Sequence, residues 1–206
     1  LNQFVRYPRV VARDAEDTRR RLVAAAVEEF AAHGLAGGRV DRIAAGASAN
    51  KRAIYDYFGS KEGLFDAAVT RVISDLLDDV PLVEEDLPGY TVAFFDYLLL
   101  HPEAVRIIRW CQLERPEAGP RPTDAFLEHM AAIPTTPHGR RSTARAGGGP
   151  IRPVDLVVLL LGLANAWSLL ASSLLPPAGE DPEDPARVAE HRRSLVEAAR
   201  RISAPQ

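Results

Sequence analysis

A single cysteine, Cys111, among 206 residues excludes an intramolecular disulfide framework and fits a reducing compartment. The five histidines, at 33, 101, 129, 138 and 191, are scattered and show no HExxH or clustered metal-ligand spacing, so no metal is expected. No Gly-x-Gly-x-x-Gly or Walker-type loop is present. The glycines at 147–149 have neither a strand before them nor a lysine after them. With no nucleophile–base pattern either, no catalytic residue and no cofactor are expected. No segment alternates long enough to build a sheet, and no internal repeat is visible. The opening LNQFVRYPRVVARD lacks a basic, then apolar, then cleavable layout, which argues for a cytoplasmic chain rather than a secreted one.

What remains is a globular, helical composition: 47% hydrophobic and 26% charged residues. The net charge of −3 is unevenly spread. Lys and Arg exceed Asp and Glu by 8 to 4 over residues 18–61, whereas residues 62–206 carry 14 against 21. A basic head on an acidic body points to a head that meets a polyanion.

Periodicity resolves the chain into about nine helices. In TRRRLVAAAVEEFAAHG, Leu22, Ala26 and Phe30 share one face, with Thr18 as the expected N-cap and Gly34 just past the end. A second helix is expected at Val40–Ala47, then a turn Ser48-Ala49-Asn50, with Asn50 capping a third helix at Lys51–Tyr57. Ser60 should cap a fourth running to about Val80. Further helices are expected at 88–100, 102–115, around 123–133, 153–175 and 184–202, with a Pro- and Gly-rich connection at 134–150. The expected architecture is all-α: an N-terminal three-helix helix-turn-helix head joined to a larger helical bundle body. The boundaries read as a flexible arm at 1–17, a helix-turn-helix domain at 18–62 and a larger helical domain at 63–206.

The pieces LVAAAVEEFAAHG, V-D-R-I-A, N-K-R-A-I-Y-D-Y-F and S-K-E-G-L-F, in this order and spacing, resemble the TetR family of bacterial transcriptional regulators. The resemblance covers about Thr18 to Phe65. It implies a homodimeric repressor that binds double-stranded DNA and is released from a palindromic operator by a small-molecule effector. Two places depart from the family pattern. Ser48 stands where glycine is usual and lacks its freedom at positive φ, and Gly38 stands where a capping threonine is usual, so the second helix is expected to fray at its start.

Lys51 and Arg52, in the first turn of the third helix, are the candidates for base edges, and Arg52 has the fork for guanine O6 and N7. Ala53 permits close approach. The resemblance assigns Tyr55 and Tyr57 to phosphate contacts; Lys61, Arg39 and Arg20 are flanking candidates. The plainer reading makes these charges ordinary solvated groups. In the body, Phe94, Phe95, Tyr97, Trp110, Cys111, Met130 and Trp167 are candidate walls of an effector pocket, and equally candidate core. The run LVVLLLGLANAWSLLASSLL at 156–175 is long enough to span a bilayer. Its preferred reading, which the resemblance implies, is a buried dimerisation helix: 153–175 and 184–202 from two subunits would form a four-helix interface, with no membrane involved. Two other readings stay open. One is a ligand-independent DNA-binding or nucleoid-organising protein, the other a helical carrier whose head does not bind DNA.

Overall fold

A computed structural model describes residues 8–83, 85–117 and 151–203, with side chains from Asp14 onward. Among the described residues there are eight α-helices and no strand. They are α1 (Pro8–Gly37), α2 (Val40–Gly46), α3 (Lys51–Phe58), α4 (Lys61–Asp79), α5 (Leu87–Leu100), α6 (Pro102–Glu114), α7 (Pro153–Leu174) and α8 (Pro185–Ser203). The helix expected around 123–133, with Met130, lies outside the described residues. The chain divides into two compact units. The first holds α1 to α3, α4 as far as Ser74, and α6 from Glu103; the second holds the end of α4, α5, α7 and α8.

In the first unit, α1 starts well ahead of Thr18. That residue is not a cap, because its hydroxyl donates to the Asp14 carbonyl one turn back, a bond made inside a helix (2.8 Å). Leu22, Ala26 and Phe30 are buried as the periodicity required, together with Ile43 and Ala44 of α2, Ile54 of α3 and Leu64, Phe65 and Ala68 of α4. Phe30 and Phe65 meet edge to face at 5.1 Å, which adds directional preference to their burial. Gly34 interrupts α1 at φ 69°, ψ −177°. A Cβ there would stand 2.6 Å from a Glu114 carboxylate oxygen and 2.9 Å from the Trp110 ring. The glycine is therefore needed both for its backbone angles and for the room it leaves to α6. Glu114 uses that room to accept the Ala36 N–H at 3.0 Å, and Arg115 reaches Asp66 of α4 at 3.2 Å.

In the second unit, α5 packs on both α7 and α8, and α7 on α8. Leu87, Leu156, Leu160 and Ala199 form a buried cluster flanked by Leu82 and Ile202. Asp86 caps α5 by accepting the Gly89 N–H at 2.8 Å, a cap typically worth ~1 kcal/mol. The opposite face of α7 is apolar and, among the described residues, uncovered: Val158, Leu159, Leu169, Leu170 and Leu174 are all exposed. By length and composition α7 is also the one described helix able to cross a membrane.

Candidate nucleic-acid interface

The interface is built on α2, α3 and the turn between them. After α2, the Ala49 N–H returns to the Ala44 carbonyl at 2.9 Å and the Ser48 N–H to that of Ala45 at 3.1 Å. These are the two bonds of a Schellman ending, and its left-handed position falls on Ser48, at φ 50°. The expected departure from glycine is thus accommodated by a serine at positive φ. Asn50 then caps α3: its side-chain oxygen accepts the Arg52 N–H at 2.9 Å. At the far end Gly59, at φ 75°, bonds back to Tyr55, and the Ser60 hydroxyl accepts the Gly63 N–H at 3.0 Å.

Gly38 supplies no side-chain cap to α2, and a Cβ there would stand 2.6 Å from the Phe30 ring. Glu29, from α1, accepts the Arg39 N–H at 2.7 Å and holds Arg42 through both Nε and Nη2. The missing threonine cap is replaced by a carboxylate from another helix, a partner that no local pattern announces. The hydrogen bond from Arg42 is the main cause that holds Glu29 below the ordinary carboxyl range, with the Arg39 N–H acting in the same sense.

Held this way, α3 buries Ile54 fully and turns its other side outward. Arg52 is 85% exposed, Tyr55 46% and Tyr57 38%. Lys51 is exposed and Ala53 half-buried between them. Phe58 packs under the Arg19 guanidinium, whose carbon lies 5.5 Å from the ring centre, so α1 braces the end of α3. The cations are balanced by nearby acids. Lys51 Nζ is 2.8 Å from Asp41 Oδ1, and Arg52 Nε is 3.7 Å from Asp56. Arg20 pairs with Asp17 at 2.7 Å on exposed α1 surface. Arg39 is exposed. Lys61 donates to the Ala36 carbonyl at 3.2 Å, using one of its three N–H groups inside the unit. The hydrogen bond between Lys51 and Asp41 raises the lysine's pKa and lowers that of the aspartate.

The expected effector residues fall in both units. Trp110 and Cys111 belong to the first, where Trp110 lies against Gly34 and Cys111 is buried. Phe94, Phe95, Tyr97 and Trp167 belong to the second and are buried there. A neighbour that sequence reading passed over is His191. Its ring lies 4.4 Å from Trp167 and 5.5 Å from Phe95, and its buried Nε2 makes no hydrogen bond. Burial, and secondarily Arg187, pushes this imidazole below the usual histidine range. The open cavity on α1 and α4, about 790 Å³, is of another kind, with Glu16, Asp17, Arg19, Arg20 and Arg71 on its walls.

A capped, two-helix element with a buried aliphatic anchor and an exposed basic and tyrosine rim defines a helix-turn-helix regulator. Residues 22–68 match the model of bacterial regulatory proteins of the tetR family, and residues 86–201 match the tetracyclin repressor-like C-terminal domain. The chain is 37% identical over 204 residues to the HTH-type transcriptional repressor SCO4008 of Streptomyces coelicolor, covering 94% of this chain and 98% of that one. It is 36% identical over 106 residues to the HTH-type transcriptional repressor NicS of Pseudomonas putida, about half of each chain. The crystal structure of the S. coelicolor transcriptional regulator SCO4942 superposes with a TM-score of 0.74 at 32% identity, covering 90% of this chain and 97% of that one. The chain belongs to the TetR family.

Proposed function

We propose that this TetR-family regulator is a cytoplasmic, homodimeric repressor that reads an inverted-repeat operator with α3 and leaves it when a small ligand binds its second unit. The observation that carries the DNA reading is the rim of α3. Lys51, Arg52, Tyr55 and Tyr57 are exposed around fully buried Ile54, on a helix fixed at both ends by Asn50 and Gly59. A helix this short is not stable alone and owes its direction to packing. A rigid tip of this kind can enter the major groove, where Lys51 and Arg52 meet base edges while the tyrosines, Lys61, Arg39 and Arg20 meet phosphates.

Dimerisation is supported by the uncovered apolar face of α7. Such a face is costly in water and characteristic of an interface when it is continuous and lies beside a second packed helix, here α8. Two copies also supply two half-sites, which one small head needs for specificity. The repressor reading draws on the names of SCO4008 and NicS. The aromatic group of Phe94, Phe95, Tyr97 and Trp167 supports an apolar ligand region in the second unit.

Selection from a random duplex pool tests the reading. An inverted repeat should be enriched, and affinity for it should fall steeply with salt. A folded dimer that enriches no sequence would refute it.

A further inference from the structure

Each cation at the tip of α3 already has an anionic partner. Lys51, the first residue of α3, meets Asp41 in the first turn of α2 at 2.8 Å. Arg52 faces Asp56 one turn further along α3, at 3.7 Å, and both side chains are largely exposed. Neither aspartate is buried: the Asp41 side chain is 67% exposed and that of Asp56 63%. Asp41 does suit the positive end of α2, but Asp56 has no such role: it lies in the last turn of α3, beyond Lys51 and Arg52, where a carboxylate opposes the helix dipole.

Two acidic groups on the surface that approaches DNA have a definite electrostatic consequence. Against a stretch of phosphates they repel, and they compete with those phosphates for Lys51 and Arg52. Against base edges in the major groove they act differently. There the amino group of cytosine donates at N4, and a carboxylate is its natural acceptor, while the arginine one turn away donates to guanine O6 and N7. Penalty on the backbone combined with reward at a matching base pair is how a surface gains discrimination without gaining overall affinity.

We propose that Asp41 and Asp56 are specificity-determining residues of the DNA-binding surface. They hold Lys51 and Arg52 in charge-balanced pairs that release productively only on a duplex presenting a guanine acceptor edge beside an exocyclic amine, cytosine N4 being the expected donor. This rests on the DNA reading above and deepens it by naming the base chemistry of the half-site.

The test repeats the duplex selection with the full chain and with Asp56→Asn, Asp41→Asn and Asp56→Ala, each checked for an unchanged melting temperature. Asparagine pairs with adenine through N6 and N7. The Asp56→Asn chain should therefore exchange cytosine for adenine at one symmetry-related position of both half-sites, and Asp56→Ala should lose preference there. Affinity for a scrambled duplex should rise roughly threefold to tenfold for each aspartate removed, with a salt dependence steeper by about one ion for each cation freed. Wild-type selection with the same preferred sequence and the same scrambled-duplex affinity in all three variants overturns this inference and leaves the DNA reading standing. A wild-type chain that selects nothing overturns both.

Discussion

Gly34→Ala tests how α6 is joined to the corner between α1 and α2. The native backbone there, φ 69° and ψ −177°, lies in a region reserved almost wholly for glycine, and imposing it on alanine costs about 1–3 kcal/mol. The added methyl would start 2.6 Å from the Glu114 carboxylate and 2.9 Å from the Trp110 ring; relieving such overpacking costs a further ~1–3 kcal/mol. Together these terms remove a large share of a typical ~5–15 kcal/mol stability. Urea unfolding at fixed protein concentration, followed by tryptophan fluorescence and circular dichroism, measures the loss. Gly37→Ala is the control, because its methyl meets only the His33 Cβ, at 3.4 Å, and its φ is unremarkable. A double-mutant cycle separates the two costs. In a Glu114→Ala background the contact with the carboxylate disappears while the backbone cost stays, so Gly34→Ala should be less damaging there by roughly 1 kcal/mol. A Gly34→Ala midpoint equal to wild type, or strict additivity in the cycle, would refute the argument.

Glu29 makes the first unit sensitive to acid. Its folded pKa lies below the ordinary carboxyl value of about 4.5, so its contribution is complete above that value and is lost as pH falls through the lower folded one; Glu29→Gln, which keeps an acceptor for the Arg39 N–H, should flatten this limb of the melting temperature against pH. Ser48→Gly should raise stability by up to about 1 kcal/mol in thermal unfolding, because glycine meets no penalty at φ 50° in the Schellman turn; a lower melting temperature would show that the serine side chain supplies something the turn needs. Leu170→Glu places a charge on the uncovered face of α7 and should weaken self-association at least about tenfold in sedimentation equilibrium while leaving the far-ultraviolet spectrum intact.

The helix-turn-helix was legible because its signals are local. Asn50 caps α3 by reaching two residues along the chain, and Ser48 takes the left-handed position that its place in the turn demands. Thr18 misled for the same reason. Its residue type suits a cap, but the choice between capping and bonding back to Asp14 depends on whether helix already precedes it. Glu29 was illegible because its work is done across space, on an N–H ten positions away at the cap of another helix. The grouping of α6 with α1 to α3 is a matter of tertiary contact too, carried by Gly34 against Trp110 and Glu114, which lie far from it in sequence. In the second unit, aromatic residues announce burial, but apolar periodicity reads alike for a packed core and for a ligand wall.

Lys61 shows how one residue can carry both kinds of duty, and how the two are separated. Its ammonium accepts no bonds and donates three; the Ala36 carbonyl takes one, while Glu114 holds the N–H of the same residue. Lys61 therefore ties the start of α4 to the end of α1 at the residue where α6 also attaches. A lysine in this position still has donors for a phosphate, and contact with one would not require it to leave Ala36. Lys61→Met keeps the aliphatic stem and removes every donor. If the lysine serves both roles, the variant should melt a few degrees lower and bind all duplexes more weakly by a similar factor, with a salt dependence shallower by about one ion. An unchanged salt dependence would remove Lys61 from the DNA surface, and an unchanged melting temperature would remove it from the frame that holds α4 to α1.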